Sequence, residues 1–127
     1  MTKEELSRYF YIKKDIERIN NKIKEIDDTF ISANRLNGMR YEKHLSNLQE
    51  TRMMLVEKYQ SILEEKKNEA LKELIKIEEF ISGIEDYEIK LIVSYRYVDL
   101  LDWNVIEKKV HISCRQAQRL LNKVIDN

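Results

Sequence analysis

The stretch YFYIKKDIERINNKIKEIDDTF, residues 9–30, decides the fold of the N-terminal part of the chain. Its apolar residues recur at alternating steps of three and four, which is the spacing of a heptad seam on an α-helix. The seam consists of Tyr9, Ile12, Ile16, Ile19, Ile23, Ile26 and Phe30. Charged residues fill most positions between them, so the opposite face is predicted to be solvated. Thr2 and Glu5 precede the seam at capping-box spacing, which predicts that the helix starts there.

The stripe lapses between Ser32 and Arg40, where Asn37-Gly38-Met39 is predicted to form the bend of a helical hairpin. A second helical stripe runs from about residue 41 to residue 82. It consists of Leu45, Leu48, Leu55, Tyr59, Ile62 or Leu63, Ala70, Leu74, Ile77, Ile81 and Ile84. Two long helices with apolar stripes do not each stand alone in water. They are predicted to pair with each other, with a second copy of the chain or with a partner.

Composition excludes several other classes of protein. The 127 residues include no proline and only two glycines, whereas β-sandwiches and barrels need many tight turns that draw on both. Lys and Arg total 23, as do Asp and Glu, so any nucleic-acid affinity must come from a local patch. No signal peptide or membrane span is visible in the sequence, which predicts a cytoplasmic chain without a membrane partner.

Residues 85–127 are predicted to form shorter helices separated by Asp, Ser and His. Asp86 is predicted to cap a helix over residues 87–98, and Asp102 to cap a second helix over Trp103–Val110 after a turn. Ser113 and Gln116 have capping-box spacing and are predicted to open a last helix that ends near Ile125. We therefore divide the chain into a helical hairpin, residues 1–84, and a C-terminal helical domain, residues 85–127.

Two short helices joined by a tight turn, with a basic exposed face on the second, are typical of the helix-turn-helix motif. The candidate DNA-binding residues are Ser113, Cys114, Arg115, Gln116, Gln118, Arg119, Asn122 and Lys123. None is acidic. Arg can bridge guanine O6 and N7, and Gln or Asn can pair with adenine N6 and N7. Arg115, Gln118 and Arg119 are predicted to share the face that meets base edges, and Lys123 is predicted to meet phosphate.

Several motifs in this region carry a family resemblance. Arg96-Tyr97-Val98-Asp99, Leu101-Asp102-Trp103, Ile106, Ile112-Ser113, Arg119 and Leu121 resemble the C-terminal helix-turn-helix of bacterial sigma factors. The whole chain is similar to small phage transcriptional activators of the ArpU/RinA type, in which such a domain follows a long charged helical region. The resemblance implies activation of late genes through host RNA polymerase. The aromatic cluster Tyr9-Phe10-Tyr11 is expected either to pack within the protein or to contact such a partner.

Three residues depart from the pattern of that family. Leu100 stands where the family usually has glycine, which predicts a looser or longer turn. Glu107 replaces a small alanine between the two helices, so its carboxylate must reach solvent or a partner. Cys114 lies at the start of the last helix and is expected to be a small exposed or half-buried side chain; the alternative is a redox sensor, because a helix N-terminus favours the thiolate.

The sequence thus predicts an all-α protein, a long antiparallel, coiled-coil-like hairpin followed by a sigma-like helix-turn-helix. The predicted function is sequence-specific binding of double-stranded DNA to regulate phage or prophage transcription. RNA polymerase and a second copy of the chain, bound through the hairpin, are the further expected partners. One alternative is a small terminase-like protein that recognises a packaging site and forms a ring-like oligomer. The other is a helical protein–protein interaction module that does not bind DNA.

Catalysis, cofactors and metals are not predicted. His44 and His111 are far apart and have no ligand spacing, and Cys114 alone cannot form an intrachain disulfide or a cysteine-based zinc site. No Ser/His/Asp order, phosphate-binding glycine loop or dinucleotide fingerprint is visible. The sequence therefore offers no support for an enzyme.

Overall fold

The fold is described by a computed structural model that covers residues 1–37 and 42–126, with side chains given outside residues 30–37 and 42–46. Two long helices come first, α1 over Lys3–Asn37 and α2 over Glu42–Ser82. They pack together as a hairpin, and shorter helices follow. The predicted all-α fold, a long helical hairpin followed by short C-terminal helices, is confirmed.

Helix α1 continues past the predicted break. Ser32 and Asn34 are helical, and the helix reaches Asn37. Such polar residues each cost a helix only about 0.5 kcal/mol relative to alanine, and the chain has no proline to stop the helix. The other residues of the predicted bend, Gly38 and Met39, lie outside the described residues.

Two compact units make up the fold, one formed by residues 14–68 and the other by residues 1–13 together with 69–127. Ion pairs show the antiparallel register within residues 14–68. Arg52 of α2 donates from Nε to the carboxylate of Asp27 in α1 at 3.0 Å, and Lys66 of α2 pairs with Asp15 at 3.7 Å. Later residues of α2 therefore meet earlier residues of α1, as an antiparallel pair requires.

The apolar seam of residues 14–68 is only partly covered. Ile19 is 0% exposed, and it is the only buried residue among the described side chains of this unit. The other seam residues of α1 that lie in this unit and have described side chains are half-buried: Ile16, Ile23 and Ile26. Two paired helices shield the centre of each stripe from water and leave its edges open.

The other unit contains the three short C-terminal helices. Helix α3 spans Tyr87–Val93 and continues as a wider π-helical turn over Ser94–Val98; α4 spans Trp103–Val110 and α5 spans Cys114–Asn122. All three helices pack against one another. The buried apolar residues of this unit are Leu6, Tyr9, Ala70, Ile77, Ile81, Ile84, Ile89, Ile92, Val93, Tyr97, Ile106, Ala117, Leu121 and Ile125. The predicted division at residue 84 concerns function and stays a prediction.

The start of α1 meets the end of the chain within this unit. The amide of Asp126 donates to the carbonyl of Met1 at 3.1 Å, and the Met1 amine pairs with the Asp126 carboxylate at 3.4 Å. The predicted capping box is confirmed, because Thr2 Oγ1 accepts from the Glu5 amide at 3.2 Å and the Glu5 carboxylate accepts from the Thr2 amide at 3.4 Å. The first turn of α1 is therefore held at both its backbone and its side chains.

Candidate nucleic-acid interface

The three predicted caps of the C-terminal helices have different outcomes. The Asp86 carboxylate accepts from the first amides of α3, the nearer at 2.9 Å, so this cap is confirmed. Ser113 Oγ accepts from the Gln116 amide at 3.2 Å and caps α5 as predicted. Asp102 occupies the N-cap position of α4 as predicted, but its carboxylate accepts no hydrogen bond from that helix.

Arg96 holds the turn between α3 and α4. Its guanidinium donates to the carbonyl of Leu101 at 3.0 Å and lies over the Trp103 ring, 5.0 Å from the ring centroid. Leu100 adopts a left-handed backbone with a φ of 56°. This is the position where the sigma-factor pattern has glycine, which enters that conformation without the steric cost that a β-carbon imposes. The turn therefore keeps a glycine-like backbone at Leu100.

A second tight reversal joins α4 to α5. Helix α4 ends at Val110, and His111 follows in a left-handed conformation with a φ of 60°. Ile106 of α4 and Ala117 of α5 are each 0% exposed. Because Ala117 is small, the two helices can cross closely around Ile106. The structure thus contains the predicted helix, tight turn and second helix.

Helix α5 is shorter than predicted. It ends at Asn122, and the next amides, those of Lys123 and Val124, donate to carbonyls three residues back, each at 3.2 Å. This tightening of the last turn satisfies terminal carbonyls of the helix. Ile125 lies beyond the helix and is still buried, so the apolar periodicity extended past the α-helical backbone.

Helix α5 separates an apolar inner face from a polar outer face. Ala117 and Leu121 are buried on the inner side. All predicted DNA-binding residues except Cys114 are exposed: Ser113, Arg115, Gln116, Gln118, Arg119, Asn122 and Lys123. Arg115, Arg119 and Lys123 are spaced by four residues, so they form one basic stripe. Gln118, three residues after Arg115, borders this stripe on a flank of α5, where it lines a cleft with Trp103.

Cys114 and Glu107, two departures from the sigma-factor pattern, contact each other. The Cys114 thiol donates to the Glu107 carboxylate at 2.9 Å, and its sulfur lies 3.4 Å from the Trp103 carbonyl. The hydrogen bond to Glu107, followed by desolvation and the charge of that carboxylate, raises the pKa of the Cys114 thiol. Glu107 thus opposes the thiolate that the helix start favours, and the expectation of a small, half-buried side chain is confirmed. Among the predicted site residues, Cys114 is the half-buried one that contacts α4.

Two cations next to the turn were missed in the sequence analysis. Lys108 and Lys109 lie in the last turn of α4 and are exposed, and the Lys109 ammonium lies 5.6 Å from the centroid of the Tyr95 ring. Two adjacent lysines immediately before the helix-turn-helix turn were the available signal. They add positive charge to the same motif that carries the basic stripe of α5.

The aromatic cluster near the N-terminus divides between core and surface. Tyr9 is buried, and the Phe10 and Tyr11 rings meet edge to face with their centroids 5.4 Å apart. Phe10 and Tyr11 also line a cleft with Leu100 and Tyr97. The cluster therefore lies beside the C-terminal helices, while Tyr11 keeps 67% of its surface exposed.

Comparisons with known proteins do not add a family to these observations. No protein-family model, curated protein or solved structure matches the chain. Across residues 1–37 and 42–126, no helix is long and apolar enough to cross a membrane. Among the residues whose side chains are described, no group of three or more His, Cys, Asp or Glu residues is placed to hold a metal ion.

Proposed function

We propose that this chain binds specific double-stranded DNA sequences and regulates phage or prophage transcription, with α4 and α5 acting as a helix-turn-helix. The observation that carries the proposal is the two-sided character of α5. Its inner side is buried at Ala117 and Leu121, while its outer side presents Arg115, Arg119 and Lys123. No acidic residue occurs between residues 113 and 125. A merely solvated helix in a chain with balanced charge is expected to carry both signs.

In this proposal α5 lies in the major groove, where some of its exposed side chains contact bases and others contact phosphates. Arg115 and Arg119 donate to guanine O6 and N7, and Gln116 pairs with adenine. Lys123 contacts phosphate, as do the lysines at the end of α4. Phosphate contacts raise affinity for every sequence, whereas base contacts supply the preference among sequences.

The resemblance to phage activators supports a second component, contact with RNA polymerase at a late-gene promoter. A DNA-bound activator needs a protein surface that remains accessible to RNA polymerase when DNA covers α5. Tyr11 offers an exposed aromatic ring on α1, and aromatic side chains are enriched among the residues that dominate protein interfaces. Tyr11 is therefore the first residue to test for this contact.

The partly covered seam of residues 14–68 favours self-association as a third component. A groove of about 450 Å³ lies between Ile26 of α1 and Leu48, Leu55 and Tyr59 of α2. Met54 projects from the same stretch of α2 with 71% of its surface exposed. A second hairpin offers a matching stripe, and an isologous dimer places two reading helices on one duplex.

Sedimentation equilibrium at micromolar concentration tests this dimer. The expected result is a species of twice 15.4 kDa that Leu55→Glu dissociates, because the substitution places a charge in the groove. A 15.4 kDa species alone removes the dimer. A larger closed ring favours the terminase-like alternative.

Selection of bound fragments from the source genome tests the main proposal. Purified protein is expected to enrich fragments near promoters. Wild type and Arg119→Ala are then titrated against the enriched fragment and a random duplex. Loss of a bidentate Arg–guanine contact should weaken binding to the enriched fragment by about 1–3 kcal/mol. The difference in affinity between the enriched fragment and random DNA should therefore decrease.

Two control variants separate base reading from general charge. Lys123→Ala should weaken binding to both duplexes alike, because a phosphate contact carries no sequence preference. Lys58→Ala removes one exposed charge from α2 and should leave both affinities nearly unchanged. If wild type enriches no fragment and Arg119→Ala changes nothing, the protein–protein interaction module is the better account.

A further inference from the structure

The first turn of α1 lies beside the flank of α5 that carries Gln118 and Asn122. Lys3 and Ser7 line a cleft of about 230 Å³ together with these two residues. The turn is fixed, because Leu6 is 0% exposed and the capping box and the contacts to Asp126 hold the backbone on either side. The fold, rather than a loose end of the chain, therefore sets the position of Lys3.

The chemistry of this cleft suits an anion. Lys3 and Arg96 contribute two positive charges, and no carboxylate is among the described residues that line this cleft; Asp102 lines the adjoining cleft, which shares Lys3 and Arg96. Gln118 and Asn122 add amide N–H donors. Arg96 uses a guanidinium nitrogen on the Leu101 carbonyl, and an arginine carries five N–H donors in all. The Ser7 hydroxyl donates its hydrogen bond to the Lys3 carbonyl at 2.8 Å. Ser7 therefore lines the cleft without donating a hydrogen bond into it.

With α5 in a major groove, as the proposed function requires, the cleft would lie beside a DNA strand. The major groove is about 12 Å wide and a helix with its side chains is about 10–12 Å across, so a helix in the groove has a phosphate backbone along each flank. Gln118 and Asn122 mark one flank of α5, next to the stripe formed by Arg115 and Arg119. A strand that passes this flank reaches the cleft and Lys3.

We propose that the cleft binds a backbone phosphate of the DNA strand beside α5, with Lys3 as the principal cation and Arg96 as the second. This inference deepens the proposed DNA-binding function and rests on it. It makes the first turn of α1 part of the interface. Affinity for any duplex, whatever its sequence, then depends on Lys3, because a phosphate contact is independent of the bases.

Titration of a random-sequence duplex at several salt concentrations tests this contact, because it needs no operator. Lys3→Ala should bind about three- to tenfold more weakly, and the slope of log K against log salt should fall by about one unit. Lys13→Ala is the matched control, since it removes another exposed lysine from α1. It should stay within about twofold of wild type and keep the wild-type slope.

A localisation experiment provides a readout that does not depend on affinity. In a Cys114→Ser background, whose affinity for the random duplex is first measured against that of wild type, an iron chelate attached through Lys3→Cys should cut the duplex backbone beside the bound helix. The same chelate attached through Lys13→Cys should cut that position weakly or not at all. Far-ultraviolet circular dichroism of each variant verifies that the helices are intact.

The outcomes separate this inference from the function on which it rests. If wild type binds the duplex and Lys3→Ala matches Lys13→Ala in affinity and salt slope, the cleft proposal is overturned and the DNA-binding function stands. Equal cutting from the two tethered positions overturns it in the same way. If wild type binds no duplex at any salt concentration, both proposals fall.

Discussion

The two compact units of the chain use similar residues but bury them to different extents. Ile92, Ile106 and Ala117, in the unit of residues 1–13 and 69–127, are completely buried. In residues 14–68, Ile19 alone reaches that level among the described side chains. The three short helices cross one another and cover each other's apolar faces. The two helices of an antiparallel hairpin leave the edges of their apolar stripes open to solvent. A heptad seam thus predicts pairing of helices without predicting how completely the pair is covered.

The largest expected effect compares one isoleucine from each unit. Ile106→Ala should cost about 2–5 kcal/mol, because it leaves a cavity at a fully buried position. Ile23→Ala, at a position that is half-buried within one chain, should cost less than half as much at a protein concentration below that at which the dimer forms. Urea unfolding followed by helical circular dichroism measures both, and fluorescence of Trp103, the single tryptophan, reports its own unit. Equal losses above the concentration at which the dimer forms would show that a second chain covers the seam in solution.

Ile19→Lys tests the buried centre of the seam directly. The substitution places a charge without a partner between apolar side chains and should lower the free energy of unfolding by about 2–4 kcal/mol. Asn20→Lys is the matched control, because Asn20 is the next residue and is exposed. Thermal unfolding measures both variants. An unchanged midpoint for Ile19→Lys contradicts burial of the seam.

The contact between Cys114 and Glu107 predicts a reactivity change of intermediate size. Alkylation requires the thiolate, so a raised thiol pKa slows it at a given pH. Glu107→Gln keeps the shape but removes the carboxylate charge, which should lower the thiol pKa and speed alkylation by about three- to tenfold near pH 8. The rate in urea gives the unperturbed reference. A variant no faster than wild type would show that Glu107 does not control the thiol.

The smallest expected effect concerns the left-handed residues on either side of α4. His111→Gly should raise the free energy of unfolding by about 0.5–1 kcal/mol, because glycine adopts this backbone without a β-carbon clash and His111 is exposed. Leu100→Gly should raise the free energy of unfolding by less, because it relieves the backbone strain but also removes a half-buried leucine side chain. Chemical unfolding of the two variants side by side measures the difference. A loss of stability in His111→Gly contradicts the expected relief.

The parts of the fold that sequence could predict are those written in local patterns. The seam around Ile19, the caps at Thr2, Asp86 and Ser113, and the bounds Trp103–Val110 all follow from residues within a few turns of one another. Periodicity likewise placed Ala117 inside α5 and most candidate residues outside it.

The parts that sequence could not predict depend on residues far apart in the chain or on fine geometry. The contact of Met1 with Asp126 joins the ends of the sequence, and no local pattern encodes it. Cys114 meets Glu107 only because two helices cross there. Helical spacing places Gln118 beside Arg115, but it does not show that neighbouring helices and the start of α1 make that edge of α5 the wall of a cleft.

The ion pair between Asp15 and Lys66 has a consequence for the order of folding. Contact between residues 1–13 and residues 69–127 closes a loop made of the residues between them. Closing a disordered loop of roughly 50 residues carries an entropic cost on the order of 3–4 kcal/mol. Zipping of the local helix pair as far as Asp15 and Lys66, 3.7 Å apart, closes that loop in advance. The weakly buried hairpin therefore acts on the folding rate of the rest of the molecule, and variants such as Ile19→Lys should slow its refolding more than they speed its unfolding.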